Sequence, residues 1–146
     1  AQLFTSLFRI RKIHKTYLGV VKGTLKDKKG TLIDNLFYYE GNKKIIVNAI
    51  THFKIIDSNN YYSLLELNPV TGRKHQIRKQ LLIHGCPVLG DSKYRLEENY
   101  SKRKENLMLH AYKINFSIDK IKYKFCADLP INFKEILKEK YLKTFL

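Results

Sequence analysis

The sequence predicts an α+β fold, a mostly antiparallel mixed sheet flanked by helices, on three observations. Alternating apolar and polar stretches, rich in β-branched and aromatic residues, recur along most of the chain. Short Gly, Asn and Asp turn signals separate them. Helical patterns are confined to the start, one mid-chain segment and the end, so strands dominate and helices cover them.

The elements follow in order. "LFTSLFRIRKIH" reads as the end of a helix, with Leu3, Leu7, Phe8 and Arg11 on spaced faces. "KTYLGVVKGTL" alternates and reads as a strand ending near Gly23, and "DKKG" turns the chain. "TLIDNLFYYEGNKKIIVNAITHFKII" reads as short strands broken at Glu40-Gly41-Asn42, "DSNN" as a turn, and "YYSLLELNPV" as another strand. After Thr71-Gly72 the spacing predicts a helix over roughly 74–84, stopped by Gly85, with Ile77 and Leu81 toward the core. His75 and Arg78, three apart, then share a face, and Arg73 and Lys74 sit at the helix N-terminus, where backbone amides favour a phosphate. "NLMLHAYKINFSI" and "KIKYKFCADL" pair around Asp119-Lys120. Pro130, preceded by Asp128 as a cap, opens a last amphipathic helix with Phe133, Ile136, Leu137 and Tyr141 on one face.

There is no repeat, linker or domain boundary, so residues 1–146 read as a single domain. At 44% hydrophobic residues the chain can build a core and is not a disordered basic tail. No run approaches the ~18 apolar residues of a membrane span. Two cysteines, Cys86 and Cys126, form no disulfide framework and suit a reducing cytoplasm. Neither they nor the scattered histidines have the paired spacing of a metal site, so none is expected. Lys and Arg outnumber Asp and Glu 28 to 13, which points to a polyanionic partner, RNA or DNA or an anionic surface. The bland alternative is codon drift, since only six of the cations are Arg. Two of those six nevertheless fall at Arg73 and Arg78, where a forked, always-charged donor is wanted rather than charge alone.

"TGRKHQIR", residues 71–78, followed by "GCPVLGDSKY", residues 85–94, resembles the signature of the RluA-type pseudouridine synthases. "KTYLGVVKG", "LMLHAYKINF" and "ADLPINFKEIL" resemble further stretches of that family in the same order, so the resemblance covers almost the whole chain. One position departs: Gln80 stands where the family often has His, which bears on a contact to RNA or to a neighbouring strand.

The resemblance implies part of a pseudouridine synthase catalytic domain, a cofactor-free isomerase that turns uridine into pseudouridine in RNA, with ribosomal RNA expected. Arg78 would pair with the aspartate of the central step, and Tyr17 would stack on the flipped-out base. Lys15, Arg73, Lys74, His75 and Lys93 would contact RNA. The family's aspartate lies in an Arg-Leu-Asp stretch, and the chain has none. Asp27, Asp57 and Asp119 fall in turn signals, Asp34 in a strand, and Asp91 in a Gly-Asp turn. The expectation is a domain lacking its N-terminal portion, inactive alone and self-associating through surface left uncovered. The competing expectations are an RNA-binding module that has lost catalysis, and a basic structural protein in which Lys could replace both arginines.

Overall fold

The computed structural model describes residues 13–96 and 106–144. The helix expected from residues 3–11 lies outside them. Six strands form one sheet: β1 His14–Lys22, β2 Lys29–Glu40, β3 Lys43–Ser58, β4 Tyr62–Pro69, β5 Leu109–Ile118 and β6 Ile121–Cys126. Their order is β2-β3-β4-β1-β5-β6, and every neighbouring pair is antiparallel. Helix α1, Gln76–Ile83, follows β4, and α2, Ile131–Glu139, follows β6.

The period-2 pattern explains how one sheet serves two cores, since successive side chains point to opposite faces. Along β1, Leu18 and Val20 face one way, joining Leu64, Met108, Phe133 and Leu137 beneath α2. Tyr17 and Val21 face the other way, with Leu32, Phe53, Leu65, Leu67, Ile77 and Leu81 beneath α1. The two helices therefore lie on opposite faces of the same strands. Gly19 keeps β1 close to its neighbours: an added Cβ would stand 3.2 Å from Leu67 Cδ1 and 3.4 Å from Leu109 Cδ1.

The alternation and turn signals place the strands well, and Ile77 and Leu81 are buried as the spacing predicts. The segment 31–56 differs, forming two long strands that pair from Lys29↔Lys54 to Glu40↔Lys43 rather than short pieces. Gly41 at φ 60° supplies the left-handed turn that joins them. Asp119 and Lys120, at φ 50° and 65°, turn β5 into β6. Helix α1 is shorter than expected because His75 adopts φ 54°, which places Lys74 and His75 before the helix. His75 and Arg78 consequently do not share a helical face. At α2 the N-cap is Pro130 with no side-chain cap, so Asp128 does not fill that role. Tyr141 lies beyond the helix at φ 58° and is 87% exposed, whereas Phe133 and Leu137 are buried.

Candidate functional site

The turn before α1 is organised by one glutamine. Buried Gln76 accepts hydrogen bonds at Oε1 from the Thr71 hydroxyl (2.6 Å) and the Arg73 amide (3.0 Å). Its Nε2 donates to the Ile50 carbonyl (3.0 Å) and to Thr51 Oγ1 (2.8 Å). Thr51 in turn donates to Gln80 Oε1 at 2.6 Å, and Gln80 Nε2 reaches the carbonyls of Leu32 and Ala49 and a carboxylate oxygen of Asp34. These bonds join the 71–80 segment to β2 and β3 and satisfy groups that would be costly to bury unpaired. The departure at Gln80 is thus a contact to neighbouring strands: its side chain is fully buried. Asp34 also meets His84 Nε2 at 3.0 Å.

Arg78 and Asp91 form a forked ion pair, with Nε to Oδ2 at 2.7 Å and Nη2 to Oδ1 at 2.8 Å. The Asp91 side chain is fully enclosed while that of Arg78 stays 18% exposed. Backbone N–H groups of Lys93 and Tyr94 donate to Asp91 Oδ1, closing the Gly90-Asp91 turn. Burial pushes the Asp91 carboxyl up, but the bonds from Arg78, Tyr94 and Lys93 together outweigh it and hold the group below its ordinary value. Arg78 is raised chiefly by its hydrogen bond to Asp91. Asp91 is therefore the turn-holder the sequence suggests, and also the arginine's partner.

A cleft of about 250 Å³ opens where β1, the end of β4 and the start of α1 meet. Lys15, Tyr17, Arg73, His75 and Arg78 line it with Thr71, Pro69 and Leu109, and among the described residues no carboxylate lines it. Tyr17 stands beside a bulge in the β1–β5 pairing, where Thr16 faces Lys113 and Tyr17 faces Ala111, the kind of irregularity that re-aims a side chain. Burial raises the Tyr17 hydroxyl, so it stays protonated at neutral pH. Arg73 Nε donates to the Asn48 carbonyl at 3.1 Å. His75 Nδ1 lies 2.9 Å from the Tyr94 hydroxyl, in a hydrogen bond. Burial first, then the cations Arg78, Lys74, Lys93 and Lys79, lower its pKa and favour the neutral ring.

Five of the seven residues singled out in the sequence thus share one cleft. Lys74 and Lys93 do not line it; both are exposed. The reading of the sequence did not single out Tyr38, Lys79 or Tyr94, nor Gln76 as the hub of the turn. Among the described residues no three His, Cys, Asp or Glu side chains gather as a metal site, and no helix is long and apolar enough to cross a membrane.

Residues 1–82 match the family model of RNA pseudouridylate synthases. The chain is 32% identical over 142 residues to ribosomal large subunit pseudouridine synthase D of Borreliella burgdorferi, covering 92% of this chain and 43% of that protein. It is 38% identical over 121 residues to ribosomal large subunit pseudouridine synthase C of Rickettsia typhi, covering 80% of this chain and 38% of that one. The chain therefore spans less than half the length of these curated relatives. The solved structure of human RNA Pseudouridylate Synthase Domain Containing 4 has the same fold, with a TM-score of 0.83 at 22% identity, covering 98% of this chain and 68% of that one. The family model spans more than half of the sequence, including the 71–78 stretch of the motif, and a curated relative aligns across 92% of it: the chain belongs to the RNA pseudouridylate synthase family.

Proposed function

We propose that the protein takes part in isomerising uridine to pseudouridine in structured RNA, with large-subunit ribosomal RNA as substrate. The observation that carries this reading is the shared cleft of Tyr17 and Arg78. In the reaction the C1′–N1 bond breaks, the uracil turns, C5 bonds to C1′, the C5 proton leaves and N1 takes up a proton. A uridine must leave its stack to react, and the Tyr17 ring supplies a face that offsets part of that cost. Its protonated hydroxyl remains a donor near the base.

Arg78 serves as a positioning residue. Asp91 takes its Nε and Nη2, and Nη1 has no hydrogen-bond partner among the described residues. That edge can hold a second carboxylate ionised and oriented, as a nucleophile or base requires. Among the described residues the cleft lining contains no such carboxylate, and the sequence has no Arg-Leu-Asp stretch. We accordingly propose that the carboxylate comes from outside residues 1–146, and that these residues alone bind RNA without turnover. Lys15, Arg73 and His75 contact the RNA backbone at the cleft.

The test is release of tritium from RNA labelled at uridine C5. Residues 1–146 alone should release none, and a protein of the relatives' full length should release it. In that longer protein Arg78→Gln should lower turnover about 100-fold, the scale of a small misplacement of catalytic groups. It should also move the acid limb of the pH profile upward, which a purely structural role for Arg78 would not do. Arg78→Ala is the poorer probe, because it strands the enclosed Asp91 carboxylate at a cost of about 2–4 kcal/mol. Unchanged turnover in Arg78→Gln would remove Arg78 from the mechanism. Turnover by residues 1–146 alone would overturn the proposal of an external carboxylate.

A further inference from the structure

A second group of side chains gathers beside α1, and of these only Arg78 also lines the cleft. Lys79 Nζ stands 3.7 Å from the centroid of the Tyr38 ring and 5.9 Å from that of Tyr94. Lys93 Nζ is 5.4 Å from the Tyr94 centroid, and Arg78 Cζ is 4.9 Å from it. The Tyr38 hydroxyl donates to the Lys74 carbonyl at 2.7 Å, tying β2 to the start of α1. Three separate stretches of chain, β2, α1 and the turn after Gly90, so converge on one row of cations and rings.

Ring quadrupoles attract the ammonium groups, so each tyrosine holds its lysines in place. The rings are thereby engaged by cations, which leaves little of them for stacking a base. None of Lys74, Lys79 and Lys93 has a carboxylate partner among the described residues. Burial lowers the Lys79 pKa, and Lys93 and then Lys74 lower it further, the mark of like charges held close. Such a row is relieved by an anion with several charges spaced along it. Ammonium groups meet phosphates as point charges without demanding fixed geometry. Toward the far end of α1, Asp34 bonds Gln80 and His84 and ends the positive run.

We propose that Lys74, Lys79 and Lys93, the last two held by the Tyr38 and Tyr94 rings, form a phosphate track that carries the RNA strand beside the target uridine out of the cleft and across α1 toward β2. The identity of the polyanion rests on the reading given under Proposed function; the track itself rests on the contacts above. Contacts of this kind position a strand without reading its sequence.

The experiment is fluorescence titration of the full chain with a short labelled single-stranded RNA over a range of salt. Each phosphate contact contributes about 0.7 to the slope of log affinity against log salt for single strands, so the Lys79→Gln/Lys93→Gln double variant should lose about 1.4. Lys134→Gln/Lys138→Gln, exposed on α2 across the sheet from α1, removes the same charge and should leave the slope within about 0.3 of the parent. An unchanged slope in the first variant, or an equal loss in the second, would overturn the track. If the slope falls but the longer protein releases no tritium, the isomerase reading fails and the track stands. If tritium is released and the slope does not move, the reverse holds.

Discussion

Helices α1 and α2 cover opposite faces of the same strands, yet different forces hold them. Helix α2 is seated chiefly by apolar contact: Phe133 and Leu137 join Leu18, Val20 and Leu64, with Asn59 Nδ2 donating to the carbonyl of its C-cap residue Lys140. Helix α1 buries Ile77 and Leu81 but adds the Gln76–Thr51–Gln80 chain of hydrogen bonds to β2 and β3. Apolar contact is non-directional and tolerates small slides, whereas hydrogen bonds fail when the geometry shifts. The helix that carries Arg78 is thus held at a fixed rotation and height, while α2 needs only to stay buried. Polar networks in a core specify position more than they add stability.

That contrast can be broken by substitution. Phe133→Ala should cost about 3 kcal/mol in denaturant unfolding, from lost burial and the cavity left behind. It should leave RNA affinity unchanged wherever the protein is still folded. Gln80→Leu should cost less, about 2 kcal/mol, because it strands buried polar groups without opening a large hole. Its RNA affinity should nevertheless fall, since α1 loses its register. If Phe133→Ala weakened RNA binding as much as Gln80→Leu, the division of labour between the helices would be wrong.

Two smaller effects sharpen the comparison. Asp91 has a folded pKa below its unfolded value of about 3.9, so its contribution is present above that pH and is lost as pH falls through the folded value. Asp91→Asn should cost about 1 kcal/mol at neutral pH, and the gap from the parent should close in acid, as followed by thermal melts in the acid range. The smallest effect belongs to His75. Its folded pKa also lies below the ordinary value of about 6.5, so stability present above that pH is lost as pH falls through the lowered folded value. His75→Gln should flatten that slight decline, measured by the same melts in weak acid.

Local chemistry made the strands legible in the sequence. β1 and β4 alternate, and the Gly41 and Asp119-Lys120 turns announce their hairpins. The cleft was legible as well, because Tyr17, Arg73, His75 and Arg78 belong to recognisable stretches and the fold brings them together. What escaped depends on distance along the chain. Arg78 and Asp91 lie 13 residues apart, and Tyr38 and Lys74 lie 36 apart, so no local period links them. The shortening of α1 escaped too, because the positive φ of His75 comes with a tertiary bond to Tyr94 rather than from any Gly or Asn signal. Gln80 was visible only as an oddity until Thr51 and Asp34 stood beside it.

Strand β6 has a further consequence, for how the protein behaves in concentrated solution. Every residue in it is exposed, and it pairs only with β5 among the described strands. Ile121, Tyr123 and Phe125 alternate along it with Lys122 and Lys124. An open edge with three large apolar side chains invites pairing with another copy, and the lysines act as gatekeepers by mutual repulsion. That protection has a range of about 10 Å in 0.1 M salt and about 3 Å in 1 M salt. Solubility should therefore drop as salt rises, so the salt that would weaken the proposed phosphate contacts also disarms the guard against clumping.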